Sequence, residues 1–306
     1  MNIANYFHVG LHKTGSTFLQ SEVFPKLEDV NLISFYNNNL LKKDFEYLQS
    51  INPIFIDENR LDNIKKYFFS SKKKILVSSE QFSGNFSFQI TGSGGQFYLN
   101  MEILKKIFPD AKIVIIFRNQ LDLIISHYKD EVAFGVTTGF DDWLETRIRF
   151  NGLNYLFFDK TINYLCNLFG RENVIYDFYE NILFDKNALS KFLSKISHKF
   201  KIETISLENK RNVSLSNTAI RLNRFTNRLI KTKLNSQSYT GNYDNLKVYN
   251  FLRYKFYPFI SRYLPNDKNN KLFKNNKLDQ FLKKLSKSNK NFFKIINIKI
   301  PKEYDF

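Results

Sequence analysis

The 306-residue chain reads as a three-layer α/β fold, a mostly parallel sheet with helices on both faces, followed by a helical C-terminal extension. Three observations predict this. Continuous β-branched runs stand at 74–79 ("KILVSS") and 112–117 ("KIVIIF"), and unbroken apolar strands suit a sheet covered on both faces. Helical patterns separate these runs, as in βαβ units. The first run, "YFHVG" at 6–10, ends at a glycine-bounded loop that leads into a helix.

Taken in order, strands are expected at 6–10, 31–36, 74–79, 112–117 and 173–179, the second weaker in pattern than the rest. Helices are expected at 16–24, 61–69, 98–108, 119–134, 140–149, 155–169 and 186–196, with "TGSGGQ" at 91–96 as a flexible loop. Asp141, Asp142 and Glu145 fit the first turns of the 140–149 helix, where the macrodipole favours them. In parallel sheets ligands sit beyond the carboxyl ends of strands, so the loops after Gly10, Ser78, Phe117 and Phe178 are the places to look for chemistry. A core domain over 1–230 and a basic, mostly helical extension over 231–306 follow from the change in character beyond about residue 203.

Composition bounds the rest. The chain is 43% hydrophobic, with 33 Phe and 17 Tyr, enough for a substantial core. No apolar run approaches about 18 residues, so no membrane span is expected, and the first ten residues lack the charged and apolar regions of a signal peptide. The single cysteine, Cys166, allows no internal disulfide and no cysteine metal cluster, which fits a cytoplasmic protein. The net charge of +17 fits an anionic ligand, nucleic acid or an anionic membrane, and it also fits the Lys- and Asn-rich coding of an AT-rich genome.

The stretch "HVGLHKTGSTFLQ" nearly matches the nucleotide-binding P-loop, with Gly10 and Gly15 five apart and Ser16-Thr17 after them. Ser16 stands where that motif has lysine, and a lysine lies inside the loop at Lys13. A strand, a glycine-bounded loop and a helix start present backbone N–H groups to an anion, and Ser16 and Thr17 are suited to cap the helix. The loop resembles the 5′-phosphosulfate loop of the sulfotransferases, which use 3′-phosphoadenosine 5′-phosphosulfate (PAPS) and share a P-loop kinase-like fold. The resemblance implies that Lys13 contacts the oxygen bridging phosphate and sulfate, with Thr14, Gly15, Ser16 and Thr17 around the 5′-phosphate. The chemistry agrees, because negative charge develops on that leaving oxygen and a fixed cation stabilises it. No residue cluster demands a metal, and none is expected.

A second segment, "RNQLDLIISHY", is similar to the family's 3′-phosphate motif, with Arg118, Asn119, Asp122, Ser126 and Tyr128 in register and Gln120 where the family has proline. Arg118 offers a planar fork for a phosphate dianion. By the same resemblance Tyr179 and Phe18 lie near the adenine, with Glu180 structural. Lys210 and Arg211 are candidates to close over the nucleotide, or else belong to a solvated turn with Ser214 or Ser216 as N-cap. Transfer to a hydroxyl also needs a proton acceptor. Glu80, at the carboxyl end of the 74–79 strand, is the first choice, and His12 beside Lys13 the second. His8 is expected in the core, His127 packed on its helix, His198 at the surface, and Asp130-Glu131 either lining the acceptor site or, as the preferred reading, facing solvent.

The resemblance thus implies a PAPS-dependent sulfotransferase of bacterial type. Its acceptor would be a hydroxyl, such as that of a carbohydrate or glycoconjugate. Two other readings stay open from the sequence: an ATP-dependent small-molecule kinase, and a basic nucleic-acid-binding protein, although no specific nucleic-acid motif is present. The basic, aromatic C-terminal region is a candidate for peripheral membrane association. Oligomeric state is not legible.

Overall fold

The protein is described by a computed structural model at residues 5–34, 44, 47, 55–84, 93–207, 215–232, 246–264 and 271–306. Five strands form one parallel sheet: β1 (Asn5–His8), β2 (Val30–Ser34), β3 (Lys74–Ser78), β4 (Lys112–Phe117) and β5 (Val174–Phe178), in the order β2-β3-β1-β4-β5. All five sequence-read strands are present. The register aligns His8 with Ser78 and Val114, and Phe117 with Phe178. The carboxyl ends of β1, β3, β4 and β5 therefore share one edge of the sheet.

Alternation along each strand fills both faces. Phe7, Ile75, Val77, Ile113, Ile115 and Phe117 join one cluster, and Tyr6, Leu76, Val114 and Ile116 join another. The second face is covered by the helical segment after the first loop, by α7 (Tyr179–Ile182) and by α8 (Lys186–Ser194). That first segment is α-helical only over α1 (Ser16–Phe18); Leu19–Val23 widens into a π turn and Phe24–Lys26 tightens to 3₁₀. The first face carries α2 (Glu58–Ser70), α3 (Ser93–Ile107), the start of α4 (Gln120–Phe134), α5 (Phe140–Arg149) and α6 (Phe158–Phe169). Helix α3 begins at Ser93, so most of the stretch 91–96 is its first turn and not the loop expected there; 91–92 lie outside the described residues.

Three later helices follow: α9 (Asn217–Leu229), α10 (Leu246–Phe251) and α11 (Tyr257–Tyr263), the last two joined by a π turn at Leu252–Phe256. Helix α12 (Asn276–Ile295) comes from the stretch 231–306 that was expected as an extension, and it packs into the main core. Phe292 sits 4.9 Å from Phe117 and 5.6 Å from Phe158 by ring centroids, and Phe293 stacks on Phe178 at 5.6 Å. Polar ties accompany the packing. Gln120 is fully buried and exchanges hydrogen bonds with Asn289 of α12.

Two predictions test this arrangement. Phe292→Ala opens a cavity beneath β4 and should cost about 3–5 kcal/mol of stability, read by urea denaturation; a surface-like loss below 1 kcal/mol would place α12 outside the core. His8, wholly buried with Nδ1 2.7 Å from Ser78 Oγ, is pulled down by burial to about 4, against the opposing pull of the Glu80 carboxylate. The unfolded chain therefore binds more protons below the ordinary histidine range, and stability should fall by roughly 3 kcal/mol as pH drops from 6.5 to 4. Urea midpoints of the wild type and His8→Asn at neutral and acid pH measure that component, which the variant should lack.

Candidate functional site

The site is assembled where the first loop leaves β1. The loop keeps bonding to β4 beyond the strand proper: Val9 N–H donates to the Val114 carbonyl at 2.9 Å, Ile116 N–H to that of Gly10 at 2.7 Å, and Leu11 N–H to that of Ile116 at 3.2 Å. Two glycines permit its shape. Gly10 has φ 108° and Gly15 φ 81°, and a Cβ at Gly15 would stand 2.5 Å from Leu183 Cδ1. Lys13 itself adopts a left-handed φ of 61° at the tip. Gly15 is the N-cap of α1, and the helix start has no side-chain cap; Ser16 and Thr17 lie inside the helix and do not cap it. Thr14 is fully buried and donates its hydroxyl to the Leu11 carbonyl at 2.5 Å, so its side chain stabilises the loop. Phe18 packs against the second-face cluster as a partly buried ring.

The two sequence motifs meet here. Arg118, at the end of β4, donates from Nη1 to the Lys13 carbonyl at 2.7 Å across a separation of 105 positions. Its guanidinium carbon lies 4.3 Å from the Tyr179 ring centre, a cation–π contact. Arg118 Nε is buried with no hydrogen-bond partner among the described residues. Tyr179, expected near adenine, is thus placed as a floor for this arginine.

Helix α4 presents the other wall. Asp130 Oδ1 holds Lys13 Nζ at 2.8 Å. Ser126, partly buried, lies one turn earlier on that same side of α4. The expectation that Asp130 and Glu131 face solvent fails for both. Glu131 is buried, paired with Arg147 and bonded by Trp143 Nε1 at 2.9 Å; burial pushes its carboxyl up against the opposing effect of Arg147. His127 is buried between His12, at 6.4 Å, and Tyr155, at 6.0 Å. Burial, then the charges of His12, Lys13, Arg147 and Arg118, keep it well below its ordinary value and neutral.

The candidate bases face each other across the loop. His12 Nε2 donates to the Gly84 carbonyl at 2.6 Å, which leaves the lone pair on Nδ1. Burial lowers His12, while the Glu80 carboxylate pulls it back up. Glu80 opens a 3₁₀ turn, Glu80–Ser83, at the end of β3. Burial raises its carboxyl, but His12, its own backbone N–H, Gln20 and His8 together outweigh burial, and it is held below the ordinary value. Gln20 Nε2 donates to Glu80 Oε2 at 3.0 Å and to the Ser78 carbonyl at 3.3 Å. Asn100 steadies the turn from α3 through the carbonyls of Gln81 and Phe82.

A second set of bonds fixes the Arg118 corner. Asn119 caps α4 by accepting from Asp122 N–H at 3.1 Å, and its Nδ2 donates to the Glu303 carbonyl. Asn119 N–H donates to Glu180 Oε1 at 2.8 Å, and Tyr304 hydroxyl donates to Glu180 Oε2 at 3.0 Å. Gln20, Asn289 and Tyr304 carry no motif and were missed in the sequence, whereas Asp130 was weighed there and given solvent as its preferred place. Only Asp130 left a trace, four places after Ser126. Lys210 and Arg211 lie outside the described residues; Ser216 does cap α9, accepting from Ala219 N–H at 3.3 Å.

A cavity of about 570 Å³ opens along β5 instead, against residues 298–304. Its four carboxylates, Glu172, Asp177, Glu180 and Glu303, outnumber its two lysines, Lys112 and Lys195, and make it a poorer seat for an anion than the loop, which is the candidate site. No cluster able to hold a metal ion occurs among the described residues.

No protein-family model and no curated protein matches the chain. Among the solved structures similar to it are two sulfotransferases. A sulfotransferase from Alicyclobacillus acidocaldarius aligns over 98% of each chain, with a TM-score of 0.51 and 15% identity. A mouse sulfotransferase, SULT7A1, complexed with PAP, aligns over 93% of this chain and 82% of its own, with a TM-score of 0.40 and 14% identity. The first likeness speaks for architecture: over nearly its whole length, the chain has the sulfotransferase fold.

Proposed function

We propose that the protein transfers a sulfuryl group from PAPS to a hydroxyl acceptor, with carbohydrate as the acceptor class carried by family analogy alone. The observation that carries the reading is the contact between Arg118 and the Lys13 carbonyl. It joins a loop whose lysine is displaced from the ATP position to an arginine whose buried Nε still lacks a hydrogen-bond partner among the described residues. A donor bearing both a 5′-phosphosulfate and a 3′-phosphate uses both; ATP has no 3′-phosphate for Arg118.

In this reading Gly15, Ser16 and Thr17 hold the 5′-phosphate and Arg118 with Ser126 the 3′-phosphate. The acceptor hydroxyl gives its proton to Glu80, its oxygen bonds to sulfur, and the sulfur–oxygen bond to the 5′-phosphate breaks. Lys13 stabilises the charge left on that phosphate. Glu80 stays ionised at neutral pH because its carboxyl is held down. His12, beside Lys13 and held by the Gly84 carbonyl, is the alternative acceptor.

Calorimetry tests the donor. Adenosine 3′,5′-bisphosphate should bind without Mg²⁺ and more tightly than ATP, and Arg118→Ala should weaken it by roughly 10- to 100-fold, as expected for a lost charged contact. Tight Mg-ATP binding with no bisphosphate binding would favour a kinase.

Turnover with labelled PAPS and an acceptor extract tests the chemistry. Glu80→Gln should keep bisphosphate affinity and lose about 10²-fold or more in rate, as for a general base. Lys13→Ala should lose a similar factor with a smaller binding defect. Unchanged turnover in Glu80→Gln moves the proton to His12.

A further inference from the structure

Exposed large apolar side chains are unevenly distributed. Among the described residues, eight of thirteen fall within 225–264, on α9 and on the continuous α10–α11 helix. Phe251, Phe259 and Tyr263 are each more than half exposed, on the side opposite Tyr257, which is 2% exposed. Lys255 and Arg262 stand exposed between them. Helix α9 repeats the pattern. Arg221, Phe225, Arg228 and Leu229 are exposed at helical spacing, while Ala219, Ile220, Asn223 and Asn227 are buried.

The charge pattern is one-sided. Residues 215–232 hold four Lys or Arg, residues 246–264 hold four more, and neither stretch has an Asp or Glu. Aromatic rings flanked by long basic side chains, with no carboxylate, match the headgroup boundary of an anionic bilayer. Rings bury at the acyl edge there, and Lys and Arg reach the lipid phosphates. A second copy fits less well. A self-complementary contact through this face would set basic groups against basic groups with no acid to pair them. The face is anchored to the rest of the molecule: Asn227 Nδ2 donates to the Val132 carbonyl of α4 at 2.7 Å, and Thr226 bonds Tyr257.

We propose that the exposed face of α9, α10 and α11 binds an anionic lipid surface as an interfacial, non-spanning contact. This stands independently of the donor and the reaction. None of the helices among the described residues is long and apolar enough to cross a membrane, in keeping with a protein that lies on the bilayer. Because α9 packs on α4, and α4 carries Asp130 against Lys13, binding would set the candidate site at a fixed orientation to the membrane.

Flotation with phosphatidylcholine vesicles, with and without phosphatidylglycerol, tests the proposal on the full chain. Binding should require phosphatidylglycerol and weaken as salt rises. Phe251→Ser/Phe259→Ser/Tyr263→Ser should lower it by about tenfold or more, given the apolar surface removed. Arg221→Gln/Arg228→Gln/Lys255→Gln, which leaves every ring in place, should lower it by about tenfold or more through charge alone. Both variants change exposed positions, and their melting curves should match the wild type. Equal binding to phosphatidylcholine alone, or binding that neither variant changes, would overturn the proposal. So would capture by single-stranded DNA or concentration-dependent dimerisation that depends on these residues while vesicles stay unbound.

Discussion

The hydrogen bond from Arg118 to the Lys13 carbonyl is the constraint on which the site depends. A carbonyl at a loop tip can point in many directions, and the left-handed backbone at Lys13 selects one of them. The guanidinium that donates to it is held from below by Tyr179. Loop, strand end and aromatic floor therefore fix one another. The geometry is available only because β1 and β4 are neighbours in a parallel sheet, so that their carboxyl ends open side by side.

Behind this contact stands a shell of buried polar groups whose partners come from distant parts of the chain. Glu180 accepts from Asn119 and from Tyr304, and Gln120 is paired with Asn289. Each is costly to bury alone and cheap when satisfied. Their common effect is to hold the start of α4, where Arg118 turns out of its strand. Glu80 is treated similarly, with Gln20 on one side and the turn braced by Asn100 on the other. Rigid supports of this kind keep charged groups at set distances, which electrostatic catalysis requires.

The central strands were legible because buried parallel strands write themselves as unbroken apolar runs, as β3 and β4 did, while the edge strand β5 carries Asp177 within its run. The loop at Gly10–Thr17 was legible for a different reason: close backbone approach demands glycine, and Gly15 has a leucine 2.5 Å from where its Cβ would be. What the sequence hid were pairings. Nothing in "SNKNFF" announces that Asn289 meets Gln120, and nothing in "DEV" distinguishes Asp130, which reaches Lys13, from Glu131, which turns inward to Arg147. Neighbouring residues on a helix point 100° apart, and only the packing of that helix decides which one faces the site. The helix expected at 98–108 starts earlier, at Ser93; its first turn was read as a loop because its glycines argue locally for one, and tertiary packing of Phe97 and Met101 overrides them.

The bond from Asn119 to Glu303 spans 184 positions. During synthesis the loop at Gly10–Thr17, β1, β3 and β4 are all made long before the residues that lock the α4 corner. The nascent chain thus passes through a stage in which the sheet has its strands but Phe117 and Phe178 lack the cover of α12, leaving an apolar face to be shielded until the far segment arrives. A site built from the first loop, the end of β3 and the start of α4 is braced by residues near position 300. The α4 corner is thus closed by contacts between distant parts of one chain, and cutting the chain short of residue 303 would remove them while leaving every residue of the loop in place.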